Sequence, residues 1–124
     1  MKRVAVVEDN EDNMMLVEAL LEDMFVVEMY AEPEPALEAL PKSPPDVVLM
    51  DISLPRMDGR QLLAKLRQTE FGATPVIALT AHAMDGDRAM FLSAGFDDYV
   101  SKPIVDEKVL FDAIDRAIAR TGGA

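Results

Sequence analysis

The chain has 124 residues, half of them hydrophobic and 28% charged, which is the make-up of one globular domain. Its formal net charge of -11 weighs against a surface built for nucleic acid or anionic lipid. There is no cysteine and a single histidine, which excludes disulfides, thiolate zinc sites, a cysteine nucleophile and any multi-histidine metal centre.

The apolar runs are strand-sized rather than membrane-sized, and no leader pattern precedes the first of them. The expectation is therefore a cytoplasmic protein without a transmembrane span. Arg3-Val4-Ala5-Val6-Val7 is short and β-branched and stops at Glu8-Asp9-Asn10, as a strand buried on both faces does. Asn13, Leu16, Val17, Leu20, Leu21 and Met24 then recur at helical spacing, with Glu18, Glu22 and Asp23 on the opposite face. Asn10 or Asp12 suits the cap of that helix. Residues 25–30 read as a second strand, and Glu32-Pro33-Glu34-Pro35 opens a short helix through Ala36, Leu37 and Leu40, because proline is tolerated in a first turn.

Val47-Val48-Leu49-Met50 is the next buried strand, with Asp51 at its C-terminal end. Pro55 and Gly59 punctuate the loop before a helix carrying Leu62, Leu63 and Leu66. Residues 75–79 form a fourth strand ending at Thr80, and residues 85–94 a helix stopped by Gly95. A short polar strand over 97–101 leads to Lys102-Pro103. A last helix begins near Asp106 and presents Leu110, Ala113, Ile114, Ala117 and Ile118. The nine methionines, Met14, Met15, Met29 and Met90 among them, are expected to fill gaps in the core. Asp85-Gly86-Asp87 has the look of a calcium loop but lacks the remaining ligands.

Five strand–helix pairs without a linker predict an α/β fold, a parallel sheet covered on both faces by right-handed crossovers. Every strand then points its C-terminal end at one edge, where open sheets bind ligands. Glu8, Asp9, Asp51, Thr80 and Lys102 would meet there. Crowded carboxylates repel, and a hard divalent cation resolves the repulsion; oxygen-only donors suit Mg²⁺. Lys102 and Thr80 supply the charge and hydrogen bond that a phosphoryl group needs. Singly, each residue has a plain reading as a turn former, cap or surface group, so the joint placement carries the argument.

Val7-Glu8-Asp9-Asn10, Leu49-Met50-Asp51-Ile52-Ser53-Leu54-Pro55-Arg56-Met57-Asp58-Gly59, Ala78-Leu79-Thr80-Ala81 and Asp98-Tyr99-Val100-Ser101-Lys102-Pro103 together resemble the receiver domain of bacterial two-component response regulators. The finer texture around Glu8 to Met14 and Thr80 to Met84 is similar to phosphorelay receivers, those of hybrid histidine kinases and single-domain regulators of the DivK type. The resemblance implies a flavodoxin-like (βα)5 sheet and one receiver domain over residues 1–124 with no output domain. It implies that Asp51 accepts a phosphoryl group from a sensor histidine kinase or a histidine phosphotransfer protein. Asp9 would ligate Mg²⁺, Glu8 would act through water, and Ser53 would offer its backbone carbonyl.

Lys102 would hold one phosphoryl oxygen and Thr80 another, with small Ala81 leaving room. Tyr99 would be the aromatic switch, and the bond to Pro103 would be cis. Ser53 and His82, two residues after Asp51 and Thr80, are neither acid nor amide, which implies slow loss of the phosphate. Output would pass to a downstream protein target, with no nucleic acid or membrane, and without enzymatic turnover beyond the domain's own phosphorylation and dephosphorylation. Two rivals remain at this point. One is a Mg²⁺-dependent phosphohydrolase using Asp51, though Ser53 stands where such enzymes carry a second acid. The other is a pseudo-receiver that binds partners unphosphorylated.

Overall fold

Five β-branched or apolar runs pair in parallel, as their lengths and their separation by helices require. In the computed structural model, which describes residues 1–81, 87–102, 104 and 106–122, the chain alternates strand and helix throughout. The elements are β1 (Arg3–Val7), α1 (Glu11–Leu21), β2 (Val26–Tyr30), α2 (Pro33–Ala39), β3 (Val47–Asp51), α3 (Gly59–Arg67), β4 (Val76–Thr80), α4 (Asp87–Ser93), β5 (Asp98–Ser101) and α5 (Glu107–Gly122). The sheet order is β2-β1-β3-β4-β5.

The two-residue period of each central strand divides the core in two. Val4, Val6, Val47, Leu49, Ile77 and Leu79 face α1 and α5, meeting Val17, Leu21, Leu110 and Ile114. Ala5, Val7, Val48, Met50, Val76 and Ala78 face α2, α3 and α4, meeting Ala36, Leu40, Leu62, Leu63, Leu66 and Phe91. This is why β1, β3 and β4 read as unbroken apolar runs, whereas the edge strands β2 and β5 carry polar residues.

Local chemistry sets the ends. Asn10 caps α1, its side chain accepting from the Asn13 N–H at 3.0 Å. Asp58 and Gln61 form a reciprocal capping box at α3, with bonds of 2.9 and 3.0 Å. Gly95, at φ +105, closes α4. Residues 82–86, which include the expected start of α4, lie outside the described residues. Among the described residues no helix is long and apolar enough to cross a membrane.

The expectation that the methionines fill the core holds for Met50 and in part for Met29 and Met57, which pack against it, but not for the others described. Among the described residues only Met50 is buried; Met1, Met15, Met24 and Met90 are exposed, and Met14, Met29 and Met57 are half-buried. On α1 the inward stripe belongs to Val17 and Leu21, and Met15, two residues before Val17, is turned to the far side of the helix. Met24 lies beyond the helix end.

Gly59 ties α3 to β3. A Cβ there would stand 2.4 Å from the Asp51 carbonyl oxygen and 3.0 Å from the Ile52 Cα. Gly72 is different: its φ is +68, but an added Cβ would meet nothing closer than 3.8 Å. Gly59→Ala is expected to cost roughly 1–3 kcal/mol through forced backbone movement, and Gly72→Ala less, through its dihedral alone. Urea unfolding of both variants checks the order, and a smaller loss for Gly59→Ala would contradict this account of the packing.

Candidate functional site

The parallel registers bring the strand ends level. Val7 of β1 pairs with Met50 of β3, Asp51 with Leu79 of β4, and Thr80 with Ser101 of β5. The residues just past those pairs therefore crowd one edge of the sheet. Glu8 continues the ladder one residue beyond β1, its N–H donating to the Tyr30 carbonyl at 3.0 Å, and its side chain is buried. Asp9 is exposed, because capping by Asn10 turns the chain into α1 at that point.

Asp51 is 3% exposed and accepts the Ser53 N–H on Oδ1 at 3.1 Å. Beyond β5, the Lys102 N–H donates to the Thr80 carbonyl at 2.7 Å. Its side chain runs back across the edge, placing Nζ 3.1 Å from Asp51 Oδ1 and 3.2 Å from Glu8 Oε1. One carboxylate oxygen from each of Glu8, Asp9 and Asp51 lies within 4.8 Å of the other two.

One ammonium therefore faces two buried carboxylates, with the exposed Asp9 carboxylate beside them. Burial first, and then the neighbouring Asp51, push the Glu8 carboxyl from 4.5 up to about 7; Asn13 and Lys102 pull the other way. For Lys102, burial acts to lower the ammonium's pKa, but Asp51 and Glu8 outweigh it and the net shift is upward. Lys102 thus stays charged. Among the described residues, Glu8 Oε2 is the one buried side-chain polar atom without a hydrogen-bond partner. Such an oxygen is costly unless something positive meets it. An all-oxygen donor set with surplus negative charge and an orphaned buried oxygen fits a hard divalent cation such as Mg²⁺.

Other sequence-derived candidates fall around this centre. Thr80 ends β4 and is buried, while Ala81 and Ser53 are exposed. Tyr99 is half-buried within β5, its ring 5.7 Å from that of Phe91, which in turn meets Phe96 edge-on at 6.1 Å. His82 and Pro103, with the expected cis bond, lie outside the described residues.

Three residues were not singled out from sequence. Asn13, assigned by spacing to the inward face of the first helix, lines a cleft with Glu8, Lys102 and Ile104. Gly59 and Arg56 shape the loop after Asp51, and their only sequence signal is the run from Pro55 to Gly59.

Residues 4–115 match the response regulator receiver domain family. The chain is similar to the sensor histidine kinase GacS of Pseudomonas protegens, 41% identical over 116 residues, which is 86% of this chain but 12% of that kinase. A 14.6 kDa protein of Leptolyngbya boryana is 37% identical over 103 residues, covering 82% of this chain and 79% of its own length. Among solved structures, the receiver domain of the sensor histidine kinase PA1611 from Pseudomonas aeruginosa superposes with a TM-score of 0.85 at 35% identity, over 95% of this chain and 98% of that one. That structure holds a magnesium ion in its active-site cleft. With its five strands wound in the order described and its acids gathered at their C-terminal ends, this chain belongs to the receiver domain family of two-component signalling, whose members accept a phosphoryl group on an aspartate.

Proposed function

We propose that Asp51 is the phosphoacceptor and that the chain works as a stand-alone receiver, signalling by protein–protein contact or by passing the phosphoryl group onward. The observation that carries this is the double hold on one buried carboxylate. Lys102 Nζ and the Ser53 N–H both reach Asp51 Oδ1 at 3.1 Å, so the group is oriented before any partner arrives. The donor is a phosphohistidine of a sensor histidine kinase or phosphotransfer protein. As its N–P bond breaks, an Asp51 oxygen forms the new O–P bond.

Lys102 is placed to stabilise one of the phosphoryl oxygens, and the Thr80 hydroxyl to bond another. Asp9 and Asp51, with Glu8 through water and Ser53 through its carbonyl, would hold Mg²⁺, which when bound neutralises charge on the transferring group. Catalysis by the chain itself is then positioning and charge, not turnover. Tyr99, its ring tilted against Phe91 of α4, would carry a change at Thr80 into the α4–β5–α5 face.

Exposed Met90 and Leu92 on α4 and Val109 on α5 suit apolar contact with a downstream protein target. The Leptolyngbya protein, 79% of which the match covers, supports the stand-alone reading. The hydrolase alternative lacks a second acid, since exposed Ser53 stands two residues after Asp51.

Incubation with Mg²⁺ and a small phosphodonor is expected to give one long-lived phosphate adduct by intact mass, absent in Asp51→Asn. Rapid turnover of the donor without an adduct would mean a hydrolase, and no reaction a pseudo-receiver.

The site is also pH-linked. A carboxyl raised from 4.5 to about 7 favours the folded state while it is protonated, so the metal-free protein loses that contribution as pH climbs through this window. Over the same window Glu8 becomes the anion that a cation needs. Mg²⁺ should therefore raise the thermal midpoint more near pH 8 than near pH 6; equal shifts would show that Glu8 is not linked to the metal.

Charge is uneven along the chain as well. Residues 1–40 hold 11 acidic and two basic side chains, residues 41–124 hold 12 and 10. Glu11 and Asp12 in the first turn of α1, just after Asp9, are exposed, as is Glu18 further along the helix. This helix is placed to speed encounter with a basic partner surface, so the phosphotransfer rate should fall as ionic strength rises. A rate indifferent to salt would leave the acidity with a solubilising role only.

A further inference from the structure

The loop between β3 and α3, residues 52–58, is fixed firmly at both ends. The Ile52 N–H donates to the Leu79 carbonyl at 3.1 Å, the Gly59 N–H to the Ile52 carbonyl at 2.8 Å, and Asp58 caps α3. Its apex is built differently. The Met57 N–H reaches back to the Pro55 carbonyl at 2.7 Å, closing a three-residue turn around Arg56, whose φ is +66. Arg56 is the only non-glycine residue at positive φ among the described residues.

A γ-turn with positive φ at its centre is the rarer, strained form. Such a conformation persists only where its surroundings over-determine it. Here the Arg56 side chain reaches across to the start of α2. Nη2 lies 2.6 Å from Glu34 Oε1, Nε 3.2 Å from Glu34 Oε2, and Nη2 again 3.6 Å from Glu32 Oε2. The fork grips both oxygens of one carboxylate. It also holds the Glu34 carboxyl below its usual range.

An exposed pair of this kind adds little to overall stability, so its effect is local. Inside the same loop, Ser53 sits beside Asp51 with its N–H on Oδ1.

We propose that Arg56 is a positioning residue: its grip on Glu34 holds the loop apex against α2 and so sets the Ser53 peptide for divalent-cation binding at Asp51. This rests on the reading of Glu8, Asp9, Asp51 and the Ser53 carbonyl as the Mg²⁺ site. The test is calorimetric titration of the full chain with Mg²⁺. Arg56→Asn keeps a residue tolerant of positive φ but removes the cation, and Glu34→Gln removes the other partner without touching the loop backbone.

Each is expected to weaken Mg²⁺ binding about tenfold, the lower end for outer-shell partners of metal ligands. The double variant should be no weaker than either alone, as one shared interaction requires. Thermal midpoints in EDTA should match the unaltered protein. Unaltered Mg²⁺ affinity in both variants, or a loss that tracks an equal drop in metal-free stability, overturns the proposal while leaving the Asp51 site intact. Failure of the unaltered protein to bind Mg²⁺ overturns the site reading, and the proposal with it.

Discussion

A single ammonium holds together the end of the sheet on which everything else converges. Lys102 Nζ lies within about 3 Å of two carboxylate oxygens that burial would otherwise make prohibitive. Three strands from different parts of the chain contribute to that one meeting: β1 through Glu8, β3 through Asp51 and β5 through Lys102. The cation therefore acts as a keystone between segments up to 94 residues apart. It does not complete the charge balance. Two carboxylates near one ammonium, a third at the surface and one orphaned oxygen leave a site that is stable enough to fold and still short of positive charge. That shortfall is the physical basis for taking up a metal ion and, with it, a phosphoryl group.

The scaffold serves this imbalance by rigidity. Asp51 is the last residue of the most deeply buried strand, and α3 begins so close behind it that only glycine fits at the joint. A side chain held this way has little freedom to turn away from Lys102 or to collapse onto Glu8. The rim is less enclosed: Asp9 is solvent-exposed there, and the loop after Asp51 is held from α2.

Much of this was legible in the residues themselves. The alternation of apolar runs and amphipathic stretches specified the sheet, and the polar residues that end those runs marked its working edge at Glu8, Asp9, Asp51, Thr80 and Lys102. Element ends moved by a residue or two, because Phe25 and Met24 look like strand and helix but fall in the turn between them. Other features were hidden for physical reasons. Glu8 and Asp9 are adjacent acids, and only the point at which the chain leaves the sheet makes one buried and the other exposed. Methionine side chains are apolar wherever they lie, so their exposure on α1 and α4 was set by helix phase. Arg56 meets Glu34 across 22 positions, and no local pattern announces a pairing of that range.

The strand order has a bearing on how the chain comes to be folded. β1 is made before both of its neighbours, yet it lies inside the sheet between β2 and β3. Until residue 51 has been synthesised, one flank of a bare Val-Ala-Val-Val ribbon has no partner, an arrangement prone to sticking to other chains. Residues 1–40, which include that ribbon, carry 11 acidic side chains. Like charge of that density opposes association of one chain with another through the open flank of β1.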